Sequence, residues 1–354
     1  MDRSNTNNLL IGANPNNYYY STNGGITWQH WKINSSYGNV GDPCVLVDST
    51  GNFYYFHLVN DLSRVVCQKT TSLGGVWSNG SFTGVNGTKD DDKDWAVLDW
   101  KTNNIYAVWS QFDIHGSTNP RDSSEIQFSR STDQGLSWSK VVRVSKRNGN
   151  AQGGNYSCHC PMPAIGPNND VYVTWMGPEG LMFDISHDAG VTWLADDIKA
   201  YPHHINWLTF NIPGVQRTPG FPVVNCDLSP GPNYGNIYIC WADEFNGSND
   251  TDVWFIKSTD GGITWSSRIR VNDDPPGKHQ FFPWMTIDQV NGYLYFVFYD
   301  RRNYTDSNTD VYLAISTDGG NTFVNTKLSE SPFTPLQNIF IGDYIGITAH
   351  NNIV

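Results

Sequence analysis

The chain has 354 residues, of which 14% are aromatic and only 16% charged, and its net charge is −12. So acidic a surface repels phosphate backbones, which excludes nucleic acid as a partner, and the lack of any long apolar run excludes a membrane-spanning helix. The 33 glycines and 18 prolines fall between short apolar runs, which points to many short strands joined by turns.

The first predicted elements lie in NLLIGANPNNYYYSTNGGITW from Asn8, two apolar runs followed by a polar loop and the start of a third. From Asp42, DPCVLVDSTGNFYYFH reads as strand, Asx/Gly turn, strand. The pattern returns as DWAVLDWKTNNIYAVW from Asp94, PMPAIGPNNDVYVTW from Pro161, PVVNCDLSPGPNYGNIYICW from Pro222 and PWMTIDQVNGYLYFVF from Pro283. A third run follows each pair, such as VWFIKS before Thr259 and VYLAIS before Thr317, and leads into an octapeptide. The copies are STNGGITW from Ser21, a degraded TSLGGVWS from Thr71, STDQGLSW from Ser131, SHDAGVTW from Ser186, STDGGITW from Ser258 and STDGGNTF from Ser316. In the frame S-x-D-x-G-x-T-W, an Asp or Asn accepts hydrogen bonds from the following backbone N–H groups, and the Gly supplies positive φ. Asn23, Asp133, Asp188, Asp260 and Asp318 are therefore expected to brace hairpin turns, with the aromatic residue packed back under each turn.

The first and last copies start 295 residues apart, a mean spacing of 59 that divides the chain into six repeats. Four strands per repeat, A to D, make one antiparallel propeller blade. The expected fold is all-β, a six-bladed β-propeller of four-stranded antiparallel blades forming a single domain over residues 1–354. The first repeat lacks strand A, and GDYIGITAHNNIV from Gly342 reads as a strand A with its turn. The N- and C-terminal segments are therefore expected to share one blade, which removes an exposed sheet edge. Six cysteines are too few for a disulfide scaffold; Cys226 and Cys240 lie on adjacent strands and either face each other or act as small buried hydrophobes.

The octapeptides resemble the Asp-box (BNR) repeats of sialidases. That resemblance implies a six-bladed propeller, an extracellular or cell-surface location, and hydrolysis of terminal sialic acids. It also implies a site in which three arginines grip the substrate carboxylate, a Tyr nucleophile pairs with a Glu, and an Asp is the acid/base. Sialidases carry an Arg-Ile-Pro segment before the first box; this sequence has none, and its closing segment carries Asp343-Tyr344. Two readings follow: a carbohydrate-active propeller, an exo-glycosidase on acidic glycans, or a non-catalytic surface propeller that binds glycan or protein.

Strands alternate in direction, so the boxes mark one face and the longer B–C and D–A loops the other, where a site is expected. Arg217, Arg301 and Arg302 are the candidate grip on a carboxylate. Asp94 or Glu244 is the candidate acid/base, and Tyr344 or Asp343 the group at the anomeric carbon. Trp207 and Trp284 are candidates for stacking on a sugar face, and such aromatics equally suit packing. No cofactor or resident metal is expected. Cys158-His159-Cys160 and His203-His204 lack the spacing of a four-ligand site, although the run Asp90-Asp91-Asp92 offers oxygen ligands suited to Ca²⁺.

Overall fold

The computed structural model describes residues 1–202 and 210–354, and these are almost entirely β. The exception among the described residues is one 3₁₀ turn, Pro167–Asn169. Six antiparallel sheets follow one another along the chain. The first is β1 (Leu9–Ala13), β2 (Asn17–Ser21) and β3 (Gln29–Lys32). The second is β4 (Gly41–Val47), β5 (Phe53–Leu58), β6 (Val65–Thr70) and β7 (Ser81–Phe82). In the third, β8 (Asp90–Leu98), β9 (Ile105–Phe112), β10 (Ser123–Ser131) and β11 (Val142–Arg143) are joined by β12 (Gly149–Asn150), which also pairs with β10. The fourth is β13 (His159–Ile165), β14 (Val171–Gly177), β15 (Gly180–Ser186) and β16 (Ile198–Tyr201). The fifth is β17 (Val223–Cys226), β18 (Ile237–Asp243), β19 (Asp252–Ser258) and β20 (Ile269–Arg270). The sixth is β21 (Gln280–Asp288), β22 (Tyr293–Asp300), β23 (Asp310–Ser316) and β24 (Val324–Lys327). Strand order in each sheet is chain order, as in the blades of a β-propeller, the expected fold class. The described residues fall into two compact units, 1–178 with 184–197, and 179–183 with 198–354.

The second strand of each complete sheet is buried nearly end to end, which explains why β9, β14 and β18 read as continuous apolar runs rather than alternating ones. Trp109, Trp175 and Trp241 hold the same place in these three strands, and each is fully buried.

Most boxes form as their sequences predict. In the third, Asp133 Oδ1 accepts from Ser131 Oγ (2.7 Å), Leu136 N (3.1 Å) and Ser137 N (2.9 Å), while Ser131 Oγ accepts from Gly135 N (2.8 Å). The aromatic residue departs from expectation. Rather than lying under its own turn, it packs on the preceding sheet. Trp138 meets Phe56, Trp193 meets Phe128, Trp265 meets Phe183 and Phe323 meets Phe255, with ring centroids 5.1 to 5.9 Å apart. A single sheet buries only one layer of side chains, so the larger gain in apolar burial lies in the gap between sheets.

One further expectation is corrected. The first sheet has three strands, and residues 342–354 form no ladder beyond the bridge His350↔Ile353. Gly342 and Gly346 break the alternation a strand needs, and Ile347 and Ala349 pack instead on Tyr295 and Leu313 of the sixth sheet. Of the two readings of Cys226 and Cys240, the one as small buried hydrophobes holds: the register sets Cys226 opposite Ile237 and Cys240 opposite Val223, and all six cysteines are buried.

The first strands of four sheets carry a β-bulge at one repeated place. Asp42, Lys93, Cys160 and Phe282 sit there with φ between 49° and 55°, and the register slips beside each. Three of the four are followed by proline (Pro43, Pro161, Pro283); in β8 the follower is Asp94. A bulge re-aims the residues on either side of it. Gly41, Asp92, His159 and Phe281 are thus equivalent residues, each immediately ahead of the bulged one.

Candidate functional site

In the second unit, an apolar cluster of Phe210, Ile212, Val215, Ala242, Phe281 and Phe282 takes in the half-buried Ile341 and Ile345. Burying these residues together draws in four chain segments: the loop carrying Arg217, the end of β18 leading to Glu244, the start of β21 leading to Trp284, and the segment carrying Asp343 and Tyr344. Arg217 Nε donates to Asp343 Oδ1 (2.6 Å) and its Nη2 to Oδ2, a bidentate pair. The guanidinium lies 5.0 Å from the Phe340 ring centroid. The Asp343 side chain is 2% exposed and that of Arg217 35%, so the pair presents the arginine to solvent. The Tyr344 ring meets Phe221 at 5.6 Å and Trp284 at 5.9 Å. Arg217 from its loop, Trp284 near the start of β21 and the adjacent Asp343 and Tyr344 of the closing segment are linked by these contacts.

Glu244 follows β18, and its Oε1 is buried without a hydrogen-bond partner among the described residues. Burial first, and then the neighbouring Asp243, raises its carboxyl above the ordinary range.

The other two arginines are engaged elsewhere. Arg302 Nε donates to Asp300 Oδ2 (2.8 Å), its Nη1 to Asp273 Oδ1 (2.5 Å) and its Nη2 to Asn325 Oδ1 (3.2 Å). Burial lifts Asp300 to about 6 despite Arg302. Arg301 is 3% exposed; its Nε donates to Thr309 Oγ1 (3.1 Å), its guanidinium lies 5.4 Å from the Phe281 ring centroid, and one Nη has no partner among the described residues. Trp207, like His203-His204, lies outside the described residues.

In the first unit, Asp94 is 2% exposed and neither carboxyl oxygen has a partner among the described residues. Burial and the adjacent Asp42 push its carboxyl well up, while Asp42 itself is paired with Lys93 Nζ at 2.7 Å. In the acidic run ahead of it successive strand residues face opposite ways, so Asp91 points away from Asp90 and Asp92. Asp90 Oδ2 accepts from His115 N (2.8 Å). Asp91 Oδ1 accepts from Gln111 Nε2 (3.0 Å), and burial raises its carboxyl to about 7. Asp92 Oδ2 instead faces His159 Nε2 (3.2 Å) and His115 Nε2 (3.7 Å). Sequence reasoning singled out His159 only for its flanking cysteines and missed His115. The available signal was a lone His just past β9, in a loop on the same face. A polar depression of about 490 Å³ lies between residues 117–123 and 148–152, and none of the expected site residues lines it.

The family described as BNR/Asp-box repeat matches residues 19–30 and 256–267, the first and fifth boxes. No curated protein sequence matches the chain. Among solved structures, the chain is similar to the NanB sialidase of Streptococcus pneumoniae, with a TM-score of 0.52 at 10% identity over 80% of this chain and 60% of that one. It is similar to the intramolecular trans-sialidase of Ruminococcus gnavus, with a TM-score of 0.50 at 10% identity, covering 82% and 84% of the two chains. It is equally similar to a polysaccharide lyase, the PL25 ulvan lyase, with a TM-score of 0.54 at 12% identity, covering 90% and 82%. At such identities the likeness is one of fold.

Proposed function

Because the chain is an Asp-box (BNR) repeat β-propeller with the fold of the sialidases it matches, we propose that it acts on carbohydrate, as an exo-glycosidase on acidic glycans. The observation that carries this reading is the cluster of Arg217, Asp343, Tyr344 and Trp284. An arginine with an exposed edge is suited to a sugar carboxylate, and Asp343 holds its fork in place. Tyr344 is the group at the anomeric carbon, backed by the Phe221 and Trp284 rings. Glu244 is the proton donor, a carboxyl raised by burial and by Asp243, just past the end of a strand packed in the same cluster. A location outside the cell or on its surface accompanies this reading, since such glycans are displayed there.

The arginines favour a second reading. Arg217 and Arg302 are already neutralised by carboxylates of the chain, which suits a glycan-binding propeller that does no chemistry. Incubation with sialylated and uronate-bearing glycans separates the two. Release of free sugar, with kcat/KM cut roughly 100-fold in Arg217→Ala and in Tyr344→Phe, supports the hydrolase. Retained binding with no sugar released from any acidic glycan rejects the hydrolase and leaves the binder.

A further inference from the structure

We propose that Asp92, His115 and His159 form a binding site for one divalent first-row transition ion of the Zn²⁺ type, independent of the carbohydrate reading. Each of the three side chains offers one ligand atom, and these atoms all lie within 4.8 Å of one another. Asp92 Oδ2 is the shared vertex, 3.2 Å from His159 and 3.7 Å from His115. Ligands about 2.0–2.2 Å from a tetrahedral zinc stand roughly 3.3–3.6 Å apart; the two Asp92 separations lie close to that spacing, and the third, bounded at 4.8 Å, closes by no more than about 1.5 Å as the ion binds. Two imidazoles and one carboxylate select zinc or a neighbouring transition metal over Ca²⁺ or Mg²⁺, which take oxygen ligands.

The surroundings hold this geometry from several sides. The other carboxylate oxygen of Asp92, Oδ1, accepts from Lys93 N (2.8 Å), which fixes the plane of the group and leaves Oδ2 turned to the rings. Asp92 and His159 sit at equivalent places ahead of the bulges in β8 and β13, so the same backbone irregularity aims both. His159 is fully buried, and Phe112 packs edge-on against both imidazoles, with centroids 4.7 and 5.1 Å away. His115 is anchored through its backbone N–H to Asp90. Gly153, at φ +71°, passes so near that a Cβ there would stand 2.9 Å from His115 Nε2. Three protein ligands leave a fourth position for water or an anionic oxygen.

The test is calorimetric titration of the intact chain with Zn²⁺, paired with the visible spectrum of the Co²⁺ form. The expected result is one ion per chain at micromolar Kd or tighter, with tetrahedral Co²⁺ bands. His115→Ala and Asp92→Asn each weaken binding by roughly 100-fold, while His187→Ala leaves it unchanged, since His187 pairs with Asp170 away from the cluster. His115 lies on an exposed loop, so its variant tests the site without unsettling a strand. Zinc affinity that is the same in the parent chain and in His115→Ala, or no stoichiometric binding by the parent chain, overturns the proposal.

Discussion

At the scale of single residues, the boxes carry a natural comparison. Asn23 fills the acidic place in the first box, and its Oδ1 still accepts from Thr27 N (3.0 Å), as Asp133 Oδ1 accepts from Ser137 N. Against some desolvation, hydrogen bonds from Ser137, Ser131 and Leu136 hold the Asp133 carboxyl at about 2. Asp188, Asp260 and Asp318 are held at about 2 by equivalent bonds. Unfolded, each titrates near ~3.9. A carboxyl lowered by folding contributes stability that is present above the unfolded value and is lost as pH falls toward the folded one. Acid destabilisation from the boxes is therefore expected between about pH 4 and pH 2. Asp133→Asn, which keeps the acceptor, should remove this site's share of the pH dependence at a cost below ~1 kcal/mol. Asp133→Ala, which loses the acceptor, should cost about 1–2 kcal/mol at pH 7. Urea midpoints measured from pH 7 to pH 2 check both.

At the scale of elements, the boxes after the first tie two sheets together as well as closing their own hairpins. Trp193 leaves the turn after β15 and lies edge-on against Phe128 of β10, at 5.1 Å. Gly190 of the same box is pressed on that ring, where a Cβ would stand 2.1 Å from Phe128. The octapeptide thus has two jobs: its polar atoms close a turn, and its glycine and aromatic fit the neighbouring sheet. Trp193→Ala should cost about 3 kcal/mol by chemical denaturation, well above the change at Asp133, because it opens a gap between sheets. A cost below ~1 kcal/mol would mean that the indole contributes little there. The bulges repeat in the same manner. They take a proline follower three times and Asp94 once, and the departure from the repeat falls beside the Asp92 and His159 pair.

At the scale of the whole molecule, a net charge of −12 sets what approaches it. Duplex DNA in a fluorescence anisotropy titration at physiological salt should show no saturable binding, and a micromolar Kd would contradict the charge argument. The repeats were legible because each is a local pattern. A strand needs its apolar run, a hairpin its Asx and Gly, and a box its serine, acid and aromatic, all within eight or so residues. The sequence by itself therefore determined the blades, the turn residues and the boundaries of the repeats. It could not determine that Arg217 meets Asp343, 126 residues further on, or that Asp92 meets His115 and His159. Nor could it determine that the box aromatics reach the preceding sheet, or that the closing segment packs without a ladder. These contacts join residues far apart in the chain. Which of several arginines, acids and histidines meet is decided by how sheets and loops pack, because burial rewards many pairings almost equally until the backbone has fixed their directions.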